Sequence, residues 1–277
     1  MKPVKRGKLR LFFGVQAYRM KRYVEWYLGR TRYALDRTAT SFPYVHAQHR
    51  TPLRRPLQQV EMWMQENKVI NLRLAARKLN GVVVHPGETF SYWRLIGKPS
   101  KRKGYVAGMV LSHGKVTSGI GGGLCQLSNL IYWMTLHTPL TVTERYRHSY
   151  DVFPDANRKQ PFGSGATCYY NYLDLQIRND TQQPFQLTVH VTDDDLAGEW
   201  RSTLPAARRY EVYEREHRIT PALWGGYERY NQLFRRVYAA DGEWLEDEFI
   251  TENRAMMMYE PLLTEGEGGT PSHSVRK

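Results

Sequence analysis

The apolar positions of this chain change their period along its length. From residue 8 to about 37, and again from about 56 to 80, they recur every three or four residues, the repeat of a helix. Tyr23, Trp26, Tyr27 and Arg30 set that spacing in the first stretch. Leu72, Leu74, Ala75, Ala76 and Leu79 carry the second, and Gly81 is placed to end it. Between the two, residues 38–56 hold Pro43, Pro52 and Pro56 and read as a loop. Val82-Val83-Val84 reads as a strand stopped by Pro86-Gly87, and residues 88–93 as a short extended or turn segment. Met109-Val110-Leu111 and Lys115-Val116-Thr117 flank Ser112-His113-Gly114 and predict a hairpin. Residues 125–137 return to a helical period. Leu127, Leu130, Ile131, Met134 and Leu136 form the buried face there, and Pro139 stops the run. A strand follows at 140–143.

Beyond Tyr150 the period is two. Residues 151–164 read as an irregular loop with Pro154, Pro161 and Gly163. Residues 166–178 and 185–191 alternate and predict two paired strands around a turn at Asn179-Asp180-Thr181. Asp193-Asp194-Asp195 reads as a solvated hairpin turn. Residues 199–204, 209–216, 232–238 and 248–253 supply further strands, with a turn at Asp241-Gly242. The tail from Thr264 has a disordered composition. The fold class is α+β: basic helices at the N-terminus, then a mixed, mostly antiparallel sheet with a glycine-rich loop and a cysteine-bearing helix packed on it. Four regions follow: basic and helical at 1–59, a central domain at 60–204, a β-rich extension at 205–263 and the tail at 264–277.

Charge changes this picture. The chain of 277 residues carries a net +13. Residues 1–60 hold fourteen basic side chains against Glu25 and Asp36, a net +12. The excess is therefore local: a basic arm or helical layer able to meet an anionic membrane surface through residues 1–40, or a helix packed on its own domain with a solvated basic face. No groove-reading or aromatic-sheet module accompanies it, so no nucleic acid is expected as a partner. Mean hydropathy is −0.61, and no run of about 18 apolar residues is present, so no spanning helix is expected. Leu11 to Val15 is too short for a secretory signal. The expectation is a cytoplasmic protein, peripheral at the inner membrane face where the arm engages it.

The chemistry centres on Gly119-Ile120-Gly121-Gly122-Gly123-Leu124-Cys125-Gln126-Leu127-Ser128. A glycine run turns the backbone tightly and leaves its N–H groups open, and a helix start adds unpaired donors and partial positive charge. A thiol there ionises more easily, and the thiolate is the nucleophile. The alternative is a tight turn followed by a buried, inert cysteine. A nucleophilic Cys125 needs a base, and His148 is the best candidate on local grounds, with His113 second. His137, at a helix end, reads as structural. Cys125 and Cys168 do not make a disulfide framework, although one bridge between them stays open. No Cys-x-x-Cys or His-Glu-x-x-His spacing occurs, so neither metal nor cofactor is expected, and the glycine run lacks the Lys-Ser/Thr of a phosphate loop.

Several segments resemble the VanW family, named for an accessory protein of vancomycin-resistance clusters. They are Gln65 to Leu72, Pro86 to Trp93, Gly121 to Leu130, Leu136 to Leu140, His148, Gly165-Ala166-Thr167 and Tyr172 to Thr181. The resemblance covers roughly residues 60 to 200. Larger exported proteins with a related domain are linked to peptidoglycan as L,D-transpeptidases that work through a cysteine. The resemblance thus implies Cys125 as nucleophile and His148 as base, acting on a peptidoglycan precursor or stem peptide. Gly121, Gly122 and Gly123, with Gln126 and Ser128, would form the oxyanion and ligand loop. Glu88 and Asp174 either support it or cap and solvate turns. The runner-up is a non-enzymatic module that binds an anionic ligand at the inner membrane surface.

Overall fold

A computed structural model of the chain describes residues 7–54, 61–112, 115–152, 160–222 and 225–260. The helices are α1 (Lys8–Leu28), α2 (Met62–Leu79), α3 (Tyr92–Ile96) and α4 (Cys125–Leu136). In chain order the strands are β1 (Tyr44–Pro52), β2 (Val82–Val84), β3 (Thr89–Ser91), β4 (Ala107–Ser112), β5 (Lys115–Ile120), β6 (Thr141–Glu144) and β7 (Tyr150–Asp151). They continue with β8 (Gln176–Arg178), β9 (Phe185–Val191), β10 (Asp195–Ser202), β11 (Arg208–Pro221), β12 (Tyr227–Ala239) and β13 (Trp244–Met257). The class is α+β with mostly antiparallel pairing.

A four-stranded sheet, β1-β10-β9-β2, carries α2 and α4. Val69, Leu72, Ala75, Ala76 and Leu79 give α2 one buried face at helical spacing. Leu127, Leu130, Ile131 and Met134 do the same for α4. Gly198 lets α4 approach β10: a Cβ there would press on Met134 and Leu130. Trp200 and Phe90 sit edge to face in the core, and the Trp200 ring N–H donates to Thr135 at 3.0 Å. Each such side chain, fully buried, stabilises the fold by roughly 1.5–3 kcal/mol. The smaller sheet β3-β8-β6, the hairpin β4-β5 and the long sheet β11-β12-β13-β7 complete the molecule.

Three expectations are corrected. Residues 38–56 are not all loop, because β1 pairs antiparallel with β10 along most of its length. Its prolines mislead only in part: Pro43 precedes the strand and Pro52 ends it, on an edge where a missing N–H is tolerated. The N-terminal region holds one described helix, α1, rather than several. Residues 166–178 are strand only over β8, which pairs with β3 and β6 and not with β9. Asn179 explains the break. Its amide donates to the carbonyls of Val84 and Gln183, both at 2.8 Å, so the chain is pinned between two sheets instead of folding back on itself. His113, Pro154 and the tail from Thr264 lie outside the described residues.

Candidate functional site around Cys125

The glycine run is a turn that fastens β5 to α4. Gly121 and Gly123 have φ of 77° and 90°, where only glycine sits without strain. Gly122 lies against the opposite strand of the hairpin, so that a Cβ on it would overlap the Gly108 carbonyl. A Cβ on Gly123 would overlap the Lys68 side chain. Asn71, fully buried on α2, holds the turn from beneath: its amide donates to Gly122 at 2.9 Å and Val106 at 3.1 Å, and accepts from the Val106 N–H at 2.9 Å. The N–H groups of Gly121 and Gly122 are engaged with Val106 and Gly119, at 3.0 Å each. They therefore leave the expected oxyanion loop. Gly123 and Leu124 keep N–H groups with no backbone acceptor among the described residues.

Cys125 opens α4 and is half-buried. Its sulfur faces the Cys168 carbonyl at 3.9 Å. Burial pushes its thiol up from the ordinary cysteine range, against smaller opposing contributions from the backbone N–H groups of Cys168 and of Cys125 itself. This reverses the expected easy ionisation. Desolvation of the thiolate outweighs the first-turn dipole, which is worth about 0.3–1 kcal/mol. Cys168 is buried too, and its thiol is pushed further up by burial and then by the nearby Asp174 and Cys125. Both cysteines are free, so no bridge joins them.

His148 is half-buried between β6 and β7, and burial and then Arg147 push its imidazole down. No histidine is among the groups that act on the Cys125 thiol. His137 stands at the α4 C-terminus with its Nδ1 3.0 Å from the Tyr210 carbonyl, a structural contact, and burial pushes it down. Glu88 is a turn residue: its carboxylate accepts from the His85 N–H at 3.0 Å. Gln126 ties α4 to β1 by donating to Thr51 and Pro52. Ser128 donates to the Ala166 carbonyl at 2.7 Å, fixing the segment that carries Cys168.

Asp174 lies deeper and acts on the Cys168 thiol. It is fully buried and accepts from the Ser91 hydroxyl at 2.5 Å and from the Trp93 and Leu175 N–H groups at 2.9 Å. Burial nonetheless raises its carboxyl to about 6. Next to it Arg22 of α1 forms a bidentate pair with Glu144, at 2.5 and 2.6 Å, and donates to the carbonyl of Asn171 at 3.2 Å. Arg22 is 7% exposed. In the sequence Arg22 is one of fourteen N-terminal bases with no motif to single it out, and Glu144 falls in none. Tyr92, fully buried, donates its hydroxyl to the Leu124 carbonyl one residue before Cys125. The one signal for Arg22 was its place on the face of α1 that also carries Arg19 and Trp26. Among the described residues no group of three or more His, Cys, Asp and Glu is arranged to hold a metal. No described helix is long and apolar enough to cross a membrane.

The geometry can be set beside known proteins. A family model described as VanW like protein matches residues 67–201. The vancomycin B-type resistance protein VanW of Enterococcus faecalis (strain ATCC 700802 / V583) is 36% identical over 199 residues, 72% of this chain and 72% of that protein. The uncharacterized protein YoaR of Bacillus subtilis (strain 168) is 31% identical over 114 residues, 41% of this chain and 36% of that protein. No solved structure matches the chain.

Proposed function

The chain belongs to the VanW-like family, and from that membership and the Cys125 geometry we infer a role in the cell-wall response to vancomycin-type glycopeptides. In this reading the start of α4 holds a peptidoglycan-type peptide and Cys125 accepts its acyl group. The observation that supports it is a sulfur at the first position of α4 beside amide N–H groups of Gly123 and Leu124 that have no backbone acceptor among the described residues. A peptide carbonyl placed on those donors has its carbon presented to the thiol. The thiolate attacks that carbon, the C–N bond breaks, and the amine leaves with a proton. The thioester is then resolved by a second amine or by water, which restores the thiol.

The raised Cys125 thiol gives this chemistry a signature. With the thiol pushed up by burial, the reactive form is scarce at neutral pH and grows as pH rises. Acyl transfer should therefore climb through the alkaline range instead of levelling near neutrality. Cys125→Ala should abolish it. Transfer by the Cys125→Ala protein at the wild-type rate rejects the mechanism. The same raised thiol favours a second reading, a peptide-binding module without turnover. Stem-peptide titration followed by calorimetry separates them: binding that Cys125→Ala leaves intact, with no acyl product at any pH, selects the module.

A further inference from the structure

Helix α1 presents two faces of different character. Its inner face is anchored: Arg22 pairs with Glu144, the Tyr23 hydroxyl meets that of Tyr170 at 2.9 Å, and Trp26 is buried. Its outer face is apolar and largely exposed, with the Tyr27 ring stacked by Arg94 and Tyr23. Leu9, Phe13, Met20, Val24 and Tyr27 recur at helical spacing on that side, and Phe13, Met20 and Tyr27 are 66%, 63% and 68% exposed. At Gly14 the helix borders open space, since a Cβ there would meet nothing within 4 Å. Exposed Arg10 and Lys21 border this stripe along one edge. Residues 1–21 hold seven basic side chains and no acidic one.

We propose that the outer face of α1 docks on an anionic lipid surface, with Leu9, Phe13, Met20, Val24 and Tyr27 in the acyl boundary and Arg10 and Lys21 at the headgroups. Charge selects this occupant. A second copy of this face would set Arg10 and Lys21 against the same two cations, whereas an anionic bilayer neutralises them. A polyanion such as nucleic acid would satisfy the charge and leave the stripe in water. The inner anchor gives the docking a consequence. Arg22 fixes α1 to the Asn171 and Asp174 segment, and Asp174 acts on Cys168, so docking of α1 would reach the segment that carries that cysteine. This inference stands without the acyl-transfer reading.

The test uses the full chain with vesicles of phosphatidylcholine alone and of phosphatidylcholine mixed with phosphatidylglycerol, read by co-sedimentation. Wild type should bind the anionic vesicles at least about tenfold more tightly. Arg10→Glu with Lys21→Glu should lose that preference, and added salt should weaken it. Phe13→Ser with Met20→Ser should lose binding even to anionic vesicles. All four residues are exposed, and unchanged circular dichroism identifies a lost surface rather than a lost fold. Equal binding by wild type and both double variants overturns the proposal. So does a concentration-dependent dimer in analytical ultracentrifugation that Phe13→Ser with Met20→Ser dissolves, since the stripe would then face a second copy.

Discussion

At Cys125 two influences oppose each other. The first-turn amides favour a thiolate and the surrounding protein disfavours any charge, and burial wins. Alkylation by iodoacetamide followed against pH should therefore give Cys125 a midpoint above the free-cysteine value of about 8.5, with Cys168 slower still. A midpoint near 7 would mean that an unseen base reaches the sulfur. Asp174 makes a second residue-scale prediction. Its folded carboxyl titrates at about 6, above the ordinary 3.8. The folded state thus holds a proton that the unfolded chain gives up, and stability from this group falls as pH rises from about 4 to 6. Asp174→Asn removes that dependence. Relative to wild type, the variant should gain stability across this window, by at most about 3 kcal/mol, and hold the difference above it. Urea midpoints at pH 4, 5, 6 and 7 check this, and a difference that stays flat from pH 4 to 7 contradicts it.

Elements are joined here by a few buried polar ties and tight glycines. Gly122→Ala should destabilise by about 2–4 kcal/mol, because its Cβ overlaps the Gly108 carbonyl, which is backbone and does not yield. Gly87→Ala has a φ of 76° but open space and should cost only about 1–2 kcal/mol. Equal losses in urea unfolding would refute the packing role of Gly122. Arg22→Met should cost about 3–5 kcal/mol by stranding Glu144, and adding Glu144→Gln should recover part of it. Much of the element pattern was legible, because α2, α4 and the β4-β5 hairpin are set by local period and glycine placement. What was hidden is long-range. Arg22 meets Glu144 across 122 positions, and nothing local separates it from its solvated neighbours. β1 alternates buried and exposed positions incompletely, as an edge strand does, so its prolines dominated the reading. The 166–178 alternation looked like one strand because periodicity does not reveal that Asn179 is held between two sheets. The site was half legible. The glycine run located Cys125, while the balance of burial over dipole depends on neighbours such as Tyr92 and Cys168 that only folding brings together.

Over the whole molecule, charge and chemistry are segregated and then joined. Nearly all of the net positive charge lies in the first 60 residues, yet β1 from that region closes the central sheet and Arg22 reaches the ground beneath the cysteines. The arm is thus part of the central body, which gives a reason for the proposed surface docking and the proposed peptide chemistry to occur together. Intact-mass spectrometry of the protein incubated with a stem peptide, at neutral pH and about pH 9.5, is the direct test of that chemistry. The account predicts an acyl adduct that maps to Cys125, forms faster at the higher pH and is missing from Cys125→Ala. Bound peptide with no adduct on Cys125 at either pH would contradict it.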